Sequence, residues 1–240
     1  MMKDNKKLKV AVYGDSIMRA TVPDENMRYH FRFNDFVKGF SALPLEIINR
    51  SKFGATSHRG ERILERDVAA GCDYDLALLE YGGNDCNHNW DEVAVHPEEN
   101  HLPKVDLQGF VATVEKMADL LAARGVRPVL MNLPPIDAEK YLGHMQRQGL
   151  NVENILRWLG DVNRIYRFHE LYSNAIEKLA ARKNLLLIDV RSAFLRNTRF
   201  KQLISEDGMH PSREGYNVIF GELFKNARWY THRSGALGTV

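Results

Sequence analysis

The amino-acid sequence predicts a mixed α/β protein built as a three-layer α/β/α sandwich around a parallel sheet. Short, near-continuous apolar segments recur along the chain, as expected for strands that are buried on both faces of a parallel sheet. Amphipathic helical patterns lie between them, which is the alternation that connects parallel strands. A length of 240 residues is ordinary for one α/β domain, so we predict a single domain over residues 1–240.

Five segments are predicted as strands because each is short, apolar and bounded by polar or glycine-containing sequence. They are Leu8–Tyr13, Leu45–Ile48, Leu76–Tyr81, Pro128–Asn132 and Leu185–Val190. The clearest helical pattern runs from Asp106 to Arg124, and Gly125 follows it as a terminator. A second amphipathic pattern runs from Val162 to Arg182 and precedes the last strand. These elements alternate in the order that a parallel sheet requires.

Two connections are longer than a tight α/β domain needs, Asn87 to Val105 and Pro134 to about Gly160. Long loops in compact domains are usually functional or disordered. Both follow the carboxyl end of a predicted strand, which is where open α/β sheets bind ligands. We therefore expect both to form the rim of a substrate site. The small, polar tail from Thr231 to Val240 is expected to fray.

The composition is typical of a folded protein, and it argues against nucleic acid and membranes as partners. The 33 basic and 31 acidic residues give a net charge of +2 and form no long run of like charge, so we predict no nucleic-acid partner. We expect no membrane helix, because no stretch approaches the roughly 18 apolar residues that one needs. The polar start, Met1 to Lys9, lacks a signal-peptide pattern, and two cysteines, Cys72 and Cys86, suit a reducing compartment. We predict a cytoplasmic protein.

The first candidate for chemistry is Gly14-Asp15-Ser16, directly after the first predicted strand. A serine at such a turn presents its hydroxyl and backbone N–H at the carboxyl edge of the sheet, and the preceding glycine relaxes the turn. We expect Ile17 and Met18 to open a helix. The alternative is that Asp15 and Ser16 merely cap that helix. A bare Gly-Asp-Ser is weak evidence alone.

The second candidate is Asp207-Gly208-Met209-His210-Pro211-Ser212, near the end of the chain. A serine nucleophile needs a base and a group that fixes the tautomer of that base, and Asp207 and His210 supply both. The alternative is a helix start capped by Ser212, but a cap leaves His210 without a role. Both interpretations can hold together.

Two further segments offer donors for a developing oxyanion, the third requirement of acyl transfer. Gly54 follows the second predicted strand and lets a backbone N–H approach a ligand, although it also suits an ordinary loop. Asn84 follows the third strand in Gly82-Gly83-Asn84-Asp85, which also suits a polar turn. Because the carboxyl ends of parallel strands meet at one edge, these residues are predicted to converge with Ser16 and His210.

With these blocks the sequence resembles the SGNH hydrolases, also called GDSL esterases or lipases. The family's serine, glycine, asparagine and histidine match Ser16, Gly54, Asn84 and His210, and its Asp-x-x-His motif matches Asp207 to His210. The resemblance covers roughly Lys9 to Phe224. It implies a flavodoxin-like sheet of about five parallel strands, a Ser-His-Asp mechanism and an oxyanion hole formed by the Ser16 N–H, the Gly54 N–H and Asn84. The two long connections depart from compact members, which bears on the substrate.

Other residues invite a functional interpretation. Asp15, Asp85, Trp90 and Trp158 are candidate substrate-binding residues, and the alternatives are that Asp85 braces its loop and that the tryptophans anchor the long loops. His88, His96 and His101 lie among acids, but their spacing matches no short metal motif, so we predict no metal and no cofactor.

We therefore predict a serine esterase that hydrolyses a small-molecule or carbohydrate ester, with short acyl groups, through an acyl-enzyme on Ser16. Two rivals remain open at this point. One is a metal-assisted phosphoester hydrolase that uses Asp15, Asp85 and the histidine-rich loop. The other is a non-catalytic binding module on the same fold.

Overall fold

A computed structural model of the chain describes residues 7–236, and the side chains of residues 7–231. The strands are β1 (Leu8–Gly14), β2 (Thr21–Pro23), β3 (Tyr29–Phe31), β4 (Leu45–Asn49), β5 (Leu76–Glu80), β6 (Arg127–Met131) and β7 (Leu186–Ile188). The helices are α1 (Phe33–Val37), α2 (Ser57–Ala69), α3 (Trp90–Val95), α4 (Leu107–Ala122), α5 (Ala138–Arg147), α6 (Val152–Leu159), α7 (Asn163–Lys183), α8 (Val190–Leu195) and α9 (Arg213–Ala236), with short 3-10 helices at Lys38–Ala42 and Phe200–Leu203.

Within the described residues, one sheet has the order β4-β1-β5-β6-β7, and every neighbouring pair in it is parallel. Counted along the chain, this is the order second-first-third-fourth-fifth, which is the flavodoxin-like arrangement. The predicted three-layer sandwich and its five parallel strands are confirmed. After β1 the chain first adds β4 on one side of that strand and then β5, β6 and β7 on the other side. Ligands are expected at the carboxyl end of the strand where the order reverses, which is β1.

Two hydrophobic clusters cover the two faces of the sheet. Successive side chains of a strand point to opposite faces, and in β1 Ala11 and Tyr13 enter one cluster while Val12 enters the other. Helices α2, α4 and α7 pack on the first face, and α1, α8 and α9 pack on the second. Burial on both faces is the physical reason that these strands have near-continuous apolar sequences.

A third hydrophobic cluster lies over the carboxyl end of the sheet and joins α3, α5 and α6. Most of its members come from the two segments predicted as long loops, and the others from around the start of α7 and from Met209. The segment after β5 contains the short helix α3, and the segment after β6 is largely helical. The helices were missed because α3 has 6 residues and α6 has 8, which is too short for a clear periodic pattern.

The structure also differs from the prediction in the segment that follows β1 and at the end of the last helix. Ile17 and Met18 form a turn rather than the predicted helix, and the chain returns as the antiparallel hairpin β2–β3. Helix α9 continues to Ala236, past the point where we expected fraying to begin, and residues 237–240 of that predicted tail lie outside the described residues. In the part of the chain that the structure describes, no helix is both long enough and apolar enough to span a bilayer.

Candidate active site

A cavity of about 300 Å³ opens at the carboxyl edge of the sheet, and its walls bring together the residues that the sequence analysis singled out. Ser16, Gly54, Asn84 and His210 all line it. Each lies just after a strand of the sheet or, for His210, in the loop before α9. Asp207 is fully buried behind His210 and does not reach the cavity.

Two hydrogen bonds hold Ser16 at the end of β1, one accepted by a side chain and one by a backbone carbonyl. The Asp15 carboxylate accepts the Ile17 N–H at 2.8 Å, and the Ser16 carbonyl accepts the Thr21 N–H at 3.1 Å. Together these bonds fix a tight turn that leaves the Ser16 side chain at the cavity. Its Oγ lies 2.9 Å from His210 Nε2, so a proton can pass directly between them.

His210 is oriented by Asp207, three residues earlier. His210 Nδ1 lies 2.6 Å from Asp207 Oδ2, while Asp207 Oδ1 accepts the N–H groups of Met209 and His210, each at 3.0 Å. Burial by itself would raise the pKa of Asp207, but the hydrogen bond and the charge interaction with His210 outweigh it, and the pKa lies below its usual value. Asp207 is therefore an ionised acceptor that favours a proton on Nδ1 and leaves Nε2 facing Ser16.

The loop that carries this pair depends on Gly208. Its φ is +75°, in the left-handed region, and a Cβ there would lie 2.2 Å from the Tyr141 nitrogen. The Gly208 carbonyl accepts the Asp137 N–H at 2.8 Å, next to the start of α5. Contact with the start of α5 therefore fixes the position of the loop that carries Asp207 and His210. No residue larger than glycine fits at position 208.

Two aromatic rings that the sequence analysis did not identify flank the His210 imidazole. The Tyr29 ring centroid, on β3, lies 5.1 Å from that of His210, and the Phe53 ring stacks on the same imidazole at 6.2 Å. Tyr29 and Phe53 also contact each other at 5.3 Å. These rings restrict rotation of His210 and shield the Ser16–His210 hydrogen bond. An aromatic residue next to Gly54 was a signal that could have identified Phe53.

The two predicted oxyanion donors lie beside Ser16. Gly54 has a φ of +66°, which favours glycine, and the Lys52 N–H donates to the Gly14 carbonyl at 3.0 Å, tying this loop to the end of β1. Asn84 Nδ2 donates to Asp15 Oδ2 at 2.7 Å. One N–H of the Asn84 amide is committed to Asp15, and the second stays available for a ligand.

Asp15 and Glu80 form a buried carboxyl pair beside Ser16, and Glu80 was not among the residues predicted from the sequence. Both are almost fully buried, and the Asp15 N–H lies 3.5 Å from Glu80 Oε2. Burial raises the pKa of Asp15 to about 6, opposed by the bonds from Ile17 and Asn84. Burial and the charge of Asp15 raise the pKa of Glu80 well above its usual value. We infer that Glu80 keeps a proton at neutral pH while Asp15 carries the charge.

Replacing this buried acid gives a pH-dependent stability prediction. Glu80 binds a proton in the folded protein at pH values where the unfolded chain has lost it, so wild-type stability falls as pH rises through the unfolded pKa of about 4.3. Glu80→Gln cannot ionise and escapes this loss. We expect its Tm to exceed that of wild type at pH 8 but not at pH 4, by about 2–4 °C for each ~1 kcal/mol. Thermal unfolding at both pH values measures the difference. Glu206→Gln, which removes an exposed carboxyl, is the control, and a Tm difference independent of pH would contradict the assignment.

The four candidate substrate-binding residues have different environments. Trp90 lines the cavity, whereas Trp158 does not and packs behind His88, with ring centroids 5.0 Å apart. Asp15 borders the cavity, but its oxygens accept the two protein donors described above. Asp85 is fully buried and accepts the Ser57 N–H at 2.9 Å and the Ser57 hydroxyl. Asp85 therefore braces the start of α2 instead of reaching a substrate, which corrects its assignment as a ligand.

The histidine-rich segment after Asn84 does not gather into a metal site. His88 packs among aromatic rings, and His101 Nε2 hydrogen-bonds with the His96 carbonyl at 2.8 Å. Over residues 7–236, no group of three or more His, Cys, Asp or Glu side chains has the arrangement of a metal site. His88 contributes to the packing of this segment, and His101 is tied to the segment's own backbone.

Comparison with known proteins assigns the chain to a family. A model of the GDSL-like lipase/acylhydrolase family matches residues 12–218. The chain is 24% identical over 231 residues to a GDSL esterase/lipase of Arabidopsis thaliana, covering 92% of this chain and 80% of that protein. It is 23% identical over 222 residues to the isoamyl acetate-hydrolyzing esterase of Saccharomyces cerevisiae, covering 90% and 84%.

A solved structure shares the fold across almost the whole chain. It is a catalytic mutant of Axe2, an acetylxylan esterase from Geobacillus stearothermophilus, with a TM-score of 0.64, 17% identity and coverage of 94% of this chain and 96% of that one. The family resemblance noted in the sequence is thus confirmed. The chain belongs to the GDSL-like lipase/acylhydrolase family and is a carboxylic ester hydrolase.

Proposed function

We propose that this protein is a serine esterase that removes short acyl groups, acetyl above all, from a carbohydrate or another small alcohol through an acyl-enzyme on Ser16. The observation that carries the proposal is the continuous hydrogen-bonded line from Ser16 Oγ to His210 Nε2 at 2.9 Å and from His210 Nδ1 to Asp207 Oδ2 at 2.6 Å. This line ends at a cavity that also holds Gly54 and Asn84.

The proposed reaction has two halves. In the first, His210 Nε2 accepts the Ser16 proton as Oγ attacks the ester carbonyl, and the oxyanion receives hydrogen bonds from the Ser16 and Gly54 N–H groups and the Asn84 amide. His210 then donates its proton to the leaving alcohol, which breaks the ester bond and leaves an acyl group on Ser16. In the second half, His210 takes a proton from a water molecule as the water oxygen attacks the acyl carbonyl. The bond between the acyl carbon and Ser16 Oγ then breaks, Oγ receives the proton from His210, and the carboxylic acid leaves. The scheme uses no cofactor.

Labelling with a fluorophosphonate tests the nucleophile directly. Intact-protein mass is measured after incubation of wild type and Ser16→Ala with the probe. We expect one adduct on wild type and none on the variant, because the probe reacts with an activated serine and its phosphonyl oxygen occupies the oxyanion hole. An unlabelled wild-type protein, or an adduct that persists in Ser16→Ala, would reject Ser16 as the nucleophile.

The preference for short acyl groups rests on the shape and polarity of the cavity. About 300 Å³ is at the lower end of the range for ligand pockets, and polar side chains such as Asn84, Asn87 and His169 interrupt its apolar wall. Two similar proteins have names that refer to acetyl esters, the yeast isoamyl acetate-hydrolyzing esterase and the bacterial acetylxylan esterase. Both facts support acetate as the acyl group.

A series of 4-nitrophenyl esters tests the acyl length while the leaving group stays constant. We expect kcat/KM for the acetate to exceed that for the octanoate by at least about tenfold, because the longer chain cannot be fully enclosed. The Ser16→Ala protein supplies the background rate for each ester. A kcat/KM that rises steadily with chain length would overturn the short-acyl assignment and leave the nucleophile unaffected.

Removing the Asn84 amide tests the oxyanion hole. Asn84→Ala is expected to lower kcat by about 10²–10³, with a smaller change in KM, since the missing donor acts mainly on the charged transition state. The measurement is kcat and KM on 4-nitrophenyl acetate. Asn226→Ala, on α9 and far from Ser16, is the control for amide loss elsewhere. A matching rise in KM with constant kcat would show that Asn84 binds the ground state and the transition state equally, which would contradict an oxyanion role.

A further inference from the structure

The Asn84 side chain lines the catalytic cavity, but the backbone around it does not fix how its amide is turned. The loop after β5 is held by the Cys86 N–H, which donates to the Gly82 carbonyl at 2.9 Å. That bond fixes the backbone, whereas the amide can still rotate about the last bond of its side chain. Within the described residues, the amide makes one hydrogen bond to protein, from Nδ2 to Asp15 Oδ2 at 2.7 Å. Asp15 is therefore the group that decides which atom of the amide faces the cavity.

The orientation of this amide matters because its two ends have the same shape and opposite hydrogen-bonding character. The NH₂ group has two donors, so one can bond to Asp15 while the other faces an oxyanion. If the amide is turned over, its carbonyl oxygen takes the place of the NH₂ group and presents a lone pair to the same point. A lone pair repels a developing negative charge. The turned amide would therefore remove a donor from the oxyanion hole and add a repulsion.

Asp15 is suited to hold the amide in one orientation because it is itself fixed and charged. It is 1% exposed, and its other oxygen, Oδ1, accepts the Ile17 N–H at 2.8 Å. Burial and the charge of Asp15 raise the pKa of Glu80 well above its usual value, so Glu80 holds the proton of this carboxyl pair. An ionised carboxylate only accepts hydrogen bonds. It binds the NH₂ end of the Asn84 amide and excludes the carbonyl end.

We propose that Asp15 is a positioning residue of the oxyanion hole, which holds the Asn84 amide through Nδ2 so that its second N–H faces the oxyanion. Asp15 touches no reacting atom and acts through Asn84. The inference rests on the proposed esterase function, and it gives Asp15 a role in turnover in place of substrate binding. The alternative is that Asp15 only holds the turn at Ser16 through the Ile17 N–H.

Kinetics of Asp15→Asn, of Asn84→Ala and of the double variant separate these two roles. An amide at position 15 has one acceptor oxygen. That oxygen should keep the Ile17 N–H, because a backbone N–H cannot turn away, and the new NH₂ group then turns the Asn84 amide over. We expect kcat on 4-nitrophenyl acetate to fall by about 10²–10³ with a smaller change in KM, as for a lost oxyanion donor. In the Asn84→Ala background, Asp15→Asn should lower kcat by less than about threefold, because the two residues act as a unit.

Asp161→Asn is the matched control for the loss of a carboxylate in a turn. Asp161 is exposed, and its Oδ1 likewise accepts the N–H two residues later, that of Asn163 at 2.8 Å. Its kcat should stay within about twofold of wild type. If Asp15→Asn lowers kcat equally in both backgrounds, Asp15 only holds the turn, and the inference is overturned while the serine mechanism stands. Retained activity of Ser16→Ala would instead reject the serine mechanism and, with it, this inference.

Hydrogen exchange of the side-chain amides in the wild-type protein needs neither turnover nor a stable Asp15 variant. The Asn84 proton that is bonded to Asp15 should exchange at least about tenfold more slowly than the side-chain protons of Asn89, an exposed asparagine on the same segment. The spectrum of Asn84→Ala identifies the signal by its loss. Exchange of the Asn84 protons as fast as that of Asn89 would show that the bond to Asp15 is not maintained and would overturn the inference.

Discussion

Ser16→Ala is expected to lower kcat on 4-nitrophenyl acetate by about 10⁴–10⁶ while the protein stays folded. The substitution removes the proposed nucleophile, Ser16 Oγ. It breaks one side-chain hydrogen bond, that to His210 Nε2 at 2.9 Å. The bonds from the Ile17 N–H to Asp15 and from the Thr21 N–H to the residue-16 carbonyl, which hold the turn, remain. Steady-state kinetics on freshly purified protein measures the loss, and thermal unfolding within about 2 °C of wild type shows that the fold is retained.

A nearby serine with a structural role is the matched control for this prediction. Ser212 Oγ accepts the Gly215 N–H at 3.2 Å and caps α9, two residues after His210. Ser212→Ala is expected to lower stability by about 1 kcal/mol, as for other lost caps, and to keep most of kcat. The double variant Ser16→Ala/His210→Ala should be no slower than either single variant, since the two residues act as a unit. A Ser16→Ala protein with a tenth or more of wild-type activity would contradict the mechanism.

The central sheet could be predicted from sequence because its strands are buried on both faces. Leu76–Glu80, for example, is apolar at four of five positions and cannot be mistaken for an exposed element. Helix α2 was not predicted because charged and polar residues occupy most of its positions, although Ile63, Leu64 and Val68 share its buried face. The hairpin β2–β3 has strands of three residues, which is too short for an alternating pattern.

Some residues of the candidate site could likewise be predicted from the sequence, and others could not. Ser16, Gly54 and Asn84 could be brought together in advance, because strand order alone places the carboxyl ends of neighbouring strands side by side. Tyr29 depends on where the hairpin folds back, which local sequence does not determine. Glu80 could have been predicted as a residue with an unusual protonation state. A carboxyl group at the end of a wholly buried strand has no solvent, so it needs a partner or a proton.

The long segments after β5 and β6 differ in structure from the loops that the sequence predicts. Their position at the carboxyl edge predicts a substrate rim, and Trp90 and Tyr141 line the cavity beside Ser16. They fold into α3, α5 and α6 because their apolar residues form a separate cluster above the sheet. A rim made of packed helices holds its side chains more firmly than a loop does, which favours a selective pocket.

Asp207→Asn is expected to lower kcat by about 10⁴, although the new side chain has the same size. The carboxylate uses both oxygens as acceptors, Oδ1 for the N–H groups of Met209 and His210 and Oδ2 for His210 Nδ1. An amide has one acceptor. If its oxygen serves the two backbone donors, its NH₂ group faces Nδ1 and forces the imidazole proton onto Nε2, where it blocks transfer from Ser16.

Kinetics and stability together identify this mechanism of loss. The kcat of Asp207→Asn should fall as stated, while its far-ultraviolet circular dichroism remains that of wild type and its Tm falls by only a few degrees. Glu206→Gln is the matched control, because Glu206 precedes Asp207 in the chain, has a side chain that is 79% exposed and pairs with Lys140. Its kcat should stay within about twofold of wild type, since exposed ion pairs contribute little. If Asp207→Asn kept kcat within tenfold of wild type, Asp207 would be a loop-forming residue and His210 would need no carboxylate to act as the base.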